Sequence, residues 1–149
     1  MKIIFVCTGN TCRSPMATAL FRQAVNEAGR TDIEVSGAGL AAFEGQAAAD
    51  AAIRIMREDY GLDLTDHRAK NLTVDMCSEA DYIFTMTESQ ADALRRYLPI
   101  KVKAEITSLG KFCQGKDCDI ADPYGGDDKV YRAVAGELKQ LVTVALTKI

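Results

Sequence analysis

Short apolar runs alternate along the chain with longer segments in which apolar positions recur at helical spacing. The short runs are rich in Ile, Val, Phe and Tyr, which is typical of buried strands. They predict strands at 2–6, 33–36, 82–86 and 102–106. The longer segments predict helices at 15–29, 47–60, 72–80, 87–98 and 128–149, and the Gly- and Asp-rich segment 110–126 is predicted to be a loop.

Residues with special backbone preferences mark where several helices begin and end. Ser14 is predicted to cap the first helix and Pro15 to open it, because proline suits the first helical position. Gly61 is predicted to end the second helix. Thr87 and Gln90 have the spacing of a capping box at the start of the fourth. These local signals support the helices that the apolar spacing predicts.

The alternation of strands with helices predicts a parallel sheet covered by helices on both faces. We therefore expect a single three-layer α/β domain over residues 1–149, with a four-stranded parallel sheet. Ligands bind such sheets beyond the carboxyl ends of the strands. The loop at 7–14, which follows the first strand, is the expected binding site.

Charge and cysteine content limit the functions that need to be considered. The net charge of −3 predicts no broad basic face for nucleic acid or anionic lipid. No signal peptide or membrane-length apolar run is found, so we expect a cytoplasmic protein. We also expect a monomer. Five cysteines with a single histidine favour free thiols over a disulfide framework or a zinc site. Cys113 and Cys118 leave open a weak metal or disulfide alternative.

The loop after the first strand carries the clearest chemistry, and its sequence is Cys7-Thr8-Gly9-Asn10-Thr11-Cys12-Arg13-Ser14. Gly9 and Asn10 tolerate left-handed backbone, so the loop can curl and point its N–H groups inward as an anion cradle. A helix N-terminus and the nearby Arg13 favour the reactive thiolate of Cys7. The Arg13 fork matches two phosphoryl oxygens. The loop therefore predicts a nucleophilic thiol in a phosphate site. The alternative interpretation is a buried Cys and a surface Arg in an ordinary turn.

Two nearby residues have less certain roles. Cys12 is either a packed small side chain or a resolving thiol that protects Cys7 as a disulfide, and the sequence leaves both open. His67 is expected to be an ordinary histidine of a polar connector.

Residues 6–17 resemble the active-site signature of the low-molecular-weight protein tyrosine phosphatase family. The segment Asp122-Pro123-Tyr124-Gly125-Gly126 is similar to the general-acid loop of that family, at the family's order and separation. The resemblance covers essentially the whole chain. It implies a small α/β domain with a four-stranded parallel sheet, which needs no metal or cofactor and acts on phosphorylated proteins through a phosphocysteine intermediate.

The resemblance also implies roles for individual residues. Cys7 would be the nucleophile, Arg13 the phosphate clamp, and Asp122 the acid that protonates the leaving group and then the base that activates water. Asn10 would hold the curled loop and Ser14 would stabilise the thiolate. The residues expected to line or shape the substrate site are Thr8, Gly9, Asn10, Thr11, Cys12, Ser14 and Tyr124.

The substrate preference depends on two departures from typical tyrosine-specific members, which carry Ile at the position of Thr11 and tend to have two aromatic residues after the Asp-Pro pair. Thr11, together with a single aromatic followed by Gly125 and Gly126, resembles the bacterial protein arginine phosphatase branch. We therefore predict hydrolysis of phosphoarginine on proteins, with phosphotyrosine as the alternative. A third departure is Gly37, where the family often has a Ser that supports the catalytic loop; its absence is expected to loosen Asn10.

Two rival functions are disfavoured. Arsenate reduction on this scaffold needs a cysteine pair after the third strand, but residues 87–90 contain none and Cys77 precedes the strand. A non-catalytic phosphate-binding module would not need Cys7, Arg13 and Asp122 together, and all three are present.

Overall fold

A computed structural model that describes residues 1–149 contains four strands, β1 (Lys2–Cys7), β2 (Glu34–Gly39), β3 (Tyr82–Thr85) and β4 (Glu105–Ser108). They form one sheet in the order β2-β1-β3-β4, and every pairing is parallel. The predicted single α/β domain with a four-stranded parallel sheet is confirmed. Because β1 is central, the loop that follows it leaves the middle of the sheet's carboxyl edge.

Six helices surround the sheet: α1 (Arg13–Glu27), α2 (Asp50–Tyr60), α3 (Val74–Glu79), α4 (Glu88–Tyr97), α5 (Leu109–Gln114) and α6 (Asp128–Thr147). None of them combines the length and apolar character that crossing a membrane requires. α1 packs extensively on α6, which in turn contacts α2 and α5.

Alternation along the strands divides the core into two parts. Phe5 and Phe84 belong to the larger cluster, which includes residues of α1, α2, α5 and α6. Their neighbours Ile4 and Ile83 belong to a smaller cluster with residues of α3 and α4. Since successive side chains of a strand point to opposite faces, both faces of the sheet are covered, as predicted.

The start of α1 differs from the prediction. The helix begins at Arg13, and its N-cap residue is Cys12, which makes no side-chain capping bond. The prediction of Ser14 as the N-cap is therefore wrong. Its hydroxyl is engaged instead by Cys7 and Asn10, within the loop that precedes the helix.

Several other boundaries shift because tertiary pairing decides them. β2 continues through Gly39, because Gly37–Gly39 pairs with Phe5–Cys7 of β1. α2 begins at Asp50 rather than at 47, because Ala47 makes a bridge to Arg68 instead.

The region predicted as the fourth strand and the following loop also differs. β4 lies at Glu105–Ser108, later than the predicted 102–106, because Glu105 is the residue that pairs with Tyr82. The predicted loop at 110–126 contains most of α5, whose first turn is capped by the Ser108 side chain and whose end is the left-handed Gly115. A six-residue helix is too short for its periodicity to be recognised in the sequence.

The local signals at other helix ends are confirmed. Thr87 and Gln90 form a complete capping box at α4, and Gly61 adopts a left-handed conformation with φ of 64° after α2.

Phe84→Ala should lower the free energy of unfolding by about 3–5 kcal/mol, since it removes a fully buried ring from the core. Phe84 contacts the rings of Phe5, Tyr82 and Phe112 at centroid distances of 5.7, 5.5 and 4.8 Å. Urea unfolding followed by circular dichroism measures the loss. Phe43→Ala is the matched control, because that side chain is 81% exposed and its removal should cost less than about 0.5 kcal/mol. Similar losses in both variants would contradict this account of the core.

Candidate active site

The loop between β1 and α1 is fixed by backbone hydrogen bonds from neighbouring segments. Leu40 and Ala41 donate to the carbonyls of Cys7 and Thr8, each at 2.9 Å, and Ala49 donates to the carbonyl of Thr11 at 3.0 Å. These bonds use carbonyl groups of the loop and none of its N–H groups. The N–H groups of Thr8, Gly9, Thr11 and Cys12 meet no backbone or side-chain acceptor in the protein.

The Cys7 sulfur lies among hydrogen-bond donors. The Asn10 backbone N–H donates to Cys7 Sγ at 3.3 Å, and Ser14 Oγ lies 2.9 Å from the same sulfur. Asn10 Nδ2 donates to Ser14 Oγ at 2.7 Å, which leaves the Ser14 proton free to point at Cys7. Ser14 belongs to the first turn of α1, so the sulfur also lies beside the N-terminus of that helix.

Asn10 is the one non-glycine residue with a positive φ, at 56°. It is fully buried, and three parts of the structure hold it there. Its Nδ2 donates to Ser14, its Oδ1 accepts from the Lys70 backbone N–H at 3.1 Å, and its carbonyl lies 2.7 Å from His67 Nε2. The surrounding contacts therefore stabilise a backbone conformation that an isolated asparagine adopts only at a cost.

His67 is a residue whose contact the sequence did not reveal. A carbonyl oxygen can only accept, so His67 Nε2 must donate the bond to Asn10. Only the packing of segment 61–71 beside the loop brings the two together, through bonds such as that of the Gly39 N–H to the Lys70 carbonyl. The sequence predicts an ordinary histidine of a polar connector, and this prediction does not include the bond to Asn10.

Arg13 faces the same cavity as Cys7. Its side chain is 7% exposed, and Nη1 donates to the Ile120 carbonyl at 2.8 Å. Nη2 lies 3.6 Å from Asp122 Oδ2, so the guanidinium also contacts the predicted general-acid loop. The burial and the carbonyl bond hold the guanidinium in one orientation.

The segment that carries Asp122 is a tight turn anchored to the sheet. Asp122 Oδ1 accepts from the Tyr124 N–H at 3.1 Å, the Gly126 N–H donates to the Pro123 carbonyl, and Gly125 is left-handed with φ of 81°. Upstream, the Ile120 N–H donates to the carbonyl of Met86, just after β3. The Asp122 carboxylate itself is 57% exposed and can therefore exchange protons with solvent.

These groups surround a cavity of about 230 Å³, lined by Cys7, Thr8, Gly9, Thr11, Cys12, Arg13, Gln46, Asp122 and Tyr124. Of the predicted site residues, only Asn10 and Ser14 do not line it, because both are buried and support Cys7 from behind. Gln46 was not predicted. It comes from the loop after β2, and its backbone carbonyl accepts from the Ala69 N–H at 2.7 Å.

Cys12 is a buried thiol in the wall of this cavity. Its sulfur lies 3.2 Å from the Tyr131 hydroxyl of α6. Burial raises the pKa of the Cys12 thiol, so it stays protonated at neutral pH. Burial and the contact with Cys12 also raise the pKa of Tyr131. All five cysteines are unpaired, including Cys113, whose thiol donates to the Leu141 carbonyl.

Residues 2–149 match the model of the family described as low molecular weight phosphotyrosine protein phosphatase. A protein-arginine-phosphatase of Geobacillus stearothermophilus is 38% identical over 141 residues, which are 95% of this chain and 90% of that protein. A probable low molecular weight protein-tyrosine-phosphatase, EpsP, of Ralstonia nicotianae is 38% identical over 122 residues, 82% of this chain and 77% of that protein.

Solved structures give the same result. A low molecular weight protein tyrosine phosphatase from T. tengcongensis superposes with a TM-score of 0.94 at 37% identity, over 100% of this chain and 99% of that one. The YwlE arginine phosphatase, solved as a C7S mutant with a phosphorylated active site serine, superposes with a TM-score of 0.93 at 30% identity. The match covers 99% of this chain and 95% of that one. This chain belongs to the low molecular weight phosphotyrosine protein phosphatase family and is a hydrolase.

Proposed function

We propose that this protein hydrolyses phosphoarginine on proteins, with Cys7 as the nucleophile and a phosphocysteine intermediate. The observation that carries the mechanism is the sulfur of Cys7, which lies in one cavity with Arg13 and Asp122 and beside two hydrogen-bond donors. The phosphorylated active site serine of the YwlE C7S mutant supports the same role for Cys7 in this chain.

In the first step the Cys7 thiolate attacks phosphorus as the P–N bond to the arginine side chain breaks. Asp122, in its protonated form, gives its proton to the leaving nitrogen. The free N–H groups of the loop and the Arg13 fork hold the equatorial oxygens, which carry the charge of the transition state. Because Arg13 is already bonded to the Ile120 carbonyl, it needs little reorganisation to do so.

In the second step water attacks the phosphocysteine, and the S–P bond breaks. The Asp122 carboxylate, left by the first step, takes a proton from that water. The thiolate of Cys7 leaves, accepting hydrogen bonds from Ser14 Oγ and the Asn10 N–H. Inorganic phosphate is the product, and the enzyme returns to its starting state.

The preference for arginine rests on the polar character of the cavity wall. Thr11 and Gln46 both line the cavity, and each has an oxygen that can accept a hydrogen bond from a guanidinium N–H. A phenol ring offers no such donors. Two relatives that are protein-arginine-phosphatases, at 38% and 32% identity, support this preference.

Protein tyrosine phosphatase activity by the same mechanism is the second candidate. Tyr124 is 77% exposed beside the cavity and could stack on a phenol ring.

We also propose a cytoplasmic location, which the five free thiols support, because reducing compartments keep cysteines unpaired.

The unmodified protein should hydrolyse a phosphoarginine peptide with a higher kcat/KM than the matching phosphotyrosine peptide. Thr11→Ile should lower the ratio of the phosphoarginine kcat/KM to the phosphotyrosine kcat/KM by about tenfold, because it replaces a polar group that faces the guanidinium by a methyl-rich wall. Thr143→Ile, on the exposed surface of α6, is the matched control. A phosphotyrosine preference in the unmodified protein would overturn the arginine assignment and leave the phosphatase mechanism intact.

Cys7→Ser should reduce kcat by about a thousandfold or more, because a serine hydroxyl is a far weaker nucleophile at neutral pH. Calorimetric titration with inorganic phosphate should still detect binding, since the loop amides and Arg13 remain. Cys118→Ser serves as control, as that thiol lies outside the cavity. Retained turnover in Cys7→Ser would exclude Cys7 as the nucleophile.

Asp122→Asn should slow poor leaving groups far more than good ones. The expected loss is about a hundredfold for phenyl phosphate and less than tenfold for para-nitrophenyl phosphate, whose phenolate needs little protonation. Asp117→Asn, at an exposed carboxylate outside the cavity, controls for the change in charge. Equal losses on both substrates would mean that Asp122 is not the general acid.

A further inference from the structure

Thr18 is a nearly buried hydroxyl residue of α1, one turn after Ser14. Its Oγ1 donates to the Ser14 carbonyl at 2.7 Å. Bonds of this kind are common for Thr within helices and by themselves carry no function. Here the carbonyl belongs to the residue whose hydroxyl lies 2.9 Å from the Cys7 sulfur, so Thr18 fixes the backbone that carries this contact.

Gly37 of β2 faces the same point from the other side. A Cβ atom at residue 37 would lie 2.7 Å from Thr18 Oγ1 and 3.4 Å from Asn10 Nδ2. The first distance is shorter than a carbon atom can approach an oxygen without displacing it. A side chain at residue 37 and the present position of Thr18 therefore exclude each other.

The backbone of Gly37 does not require glycine. Its φ is not in the left-handed region, unlike that of five other glycines in the chain, and it pairs regularly with Phe5 in the sheet. The missing side chain is thus explained by the space that Thr18 occupies and not by local conformation.

We infer that Thr18 is a positioning residue for the catalytic thiolate, and that Gly37 is required to leave room for it. The inference rests on the proposed role of Cys7. Thr18 holds the first turn of α1, so Ser14 Oγ stays between Asn10 Nδ2 and the Cys7 sulfur. Residue 37 has no serine hydroxyl to support the loop, and the sequence predicted that its absence would loosen Asn10. The hydroxyl found in this place is that of Thr18 on α1, which bonds to the Ser14 carbonyl.

Two variants of Thr18 test the hydroxyl. Thr18→Val keeps the shape of the side chain and removes the bond to the Ser14 carbonyl, and Thr18→Ser keeps the bond. We expect Thr18→Val to lower kcat about tenfold with little change in KM, and Thr18→Ser to stay within about twofold of the unmodified protein. Wild-type kcat in Thr18→Val would overturn the inference.

The rate of Cys7 alkylation by iodoacetamide as a function of pH separates positioning from a merely structural role. Thr18→Val should need a higher pH to reach the half-maximal rate, because a displaced Ser14 hydroxyl stabilises the thiolate less well. Thr18→Ser should restore the profile. Unchanged profiles in both variants would reduce Thr18 to a packing residue.

The steric part is tested by Gly37→Ala in two backgrounds. It should lower kcat strongly when Thr18 is present and only slightly in the Thr18→Ala background, where the clash is absent. Such non-additivity is expected for residues in contact. Equal effects in both backgrounds would overturn the coupling between the two positions.

Folding and the proposed function are followed separately. Circular dichroism melting of each variant identifies loss of fold, and if Thr18→Val does not fold, Thr18→Ala replaces it in the kcat and alkylation measurements. If Cys7→Ser retains turnover, the proposed function fails and Thr18 has no thiolate to position. If Cys7→Ser is inactive and the Thr18 variants behave as the unmodified protein, only the present inference fails.

Discussion

The loop between β1 and α1 depends on one residue, Asn10, which is held in a left-handed conformation. That conformation directs the backbone N–H of Asn10 at the Cys7 sulfur, while the side-chain amide orients the hydroxyl of Ser14 toward the same atom. The buried amide and the carbonyl of Asn10 are bonded in turn to Lys70 and His67. A short stretch of strained backbone is thus stabilised by segments distant in sequence, so the geometry of the sulfur is a property of the whole fold.

The sheet provides the support for this loop. Cys7 is the last residue of β1, an inner strand with a neighbour on each side, and both neighbouring strands end close to it. The connection after β2 contributes Gln46 to the cavity, and the segment after β4 contributes Asp122. Each of these groups comes from a connection at the carboxyl edge, where parallel sheets bring distant parts of a chain together. The cavity therefore needs no additional domain to complete its walls.

The sequence was sufficient for the fold class and for most of the residues that line the cavity, because those features depend on local patterns. The capping box at Thr87 and the glycine at residue 61 are short-range signals, and both were recognised. Ser14 was misassigned as a helix cap because a serine before a proline has two uses, and only the fold decides between them. Gln46 and His67 could not be recognised, because each reaches the loop through tertiary packing and not through any sequence motif.

The bond from Arg13 to the Ile120 carbonyl has a consequence for affinity. A free arginine side chain has many rotamers, and fixing it costs up to about 2 kcal/mol of entropy. In this protein that cost is met when the chain folds, before any phosphorylated protein arrives. Association can then retain a larger part of its electrostatic gain.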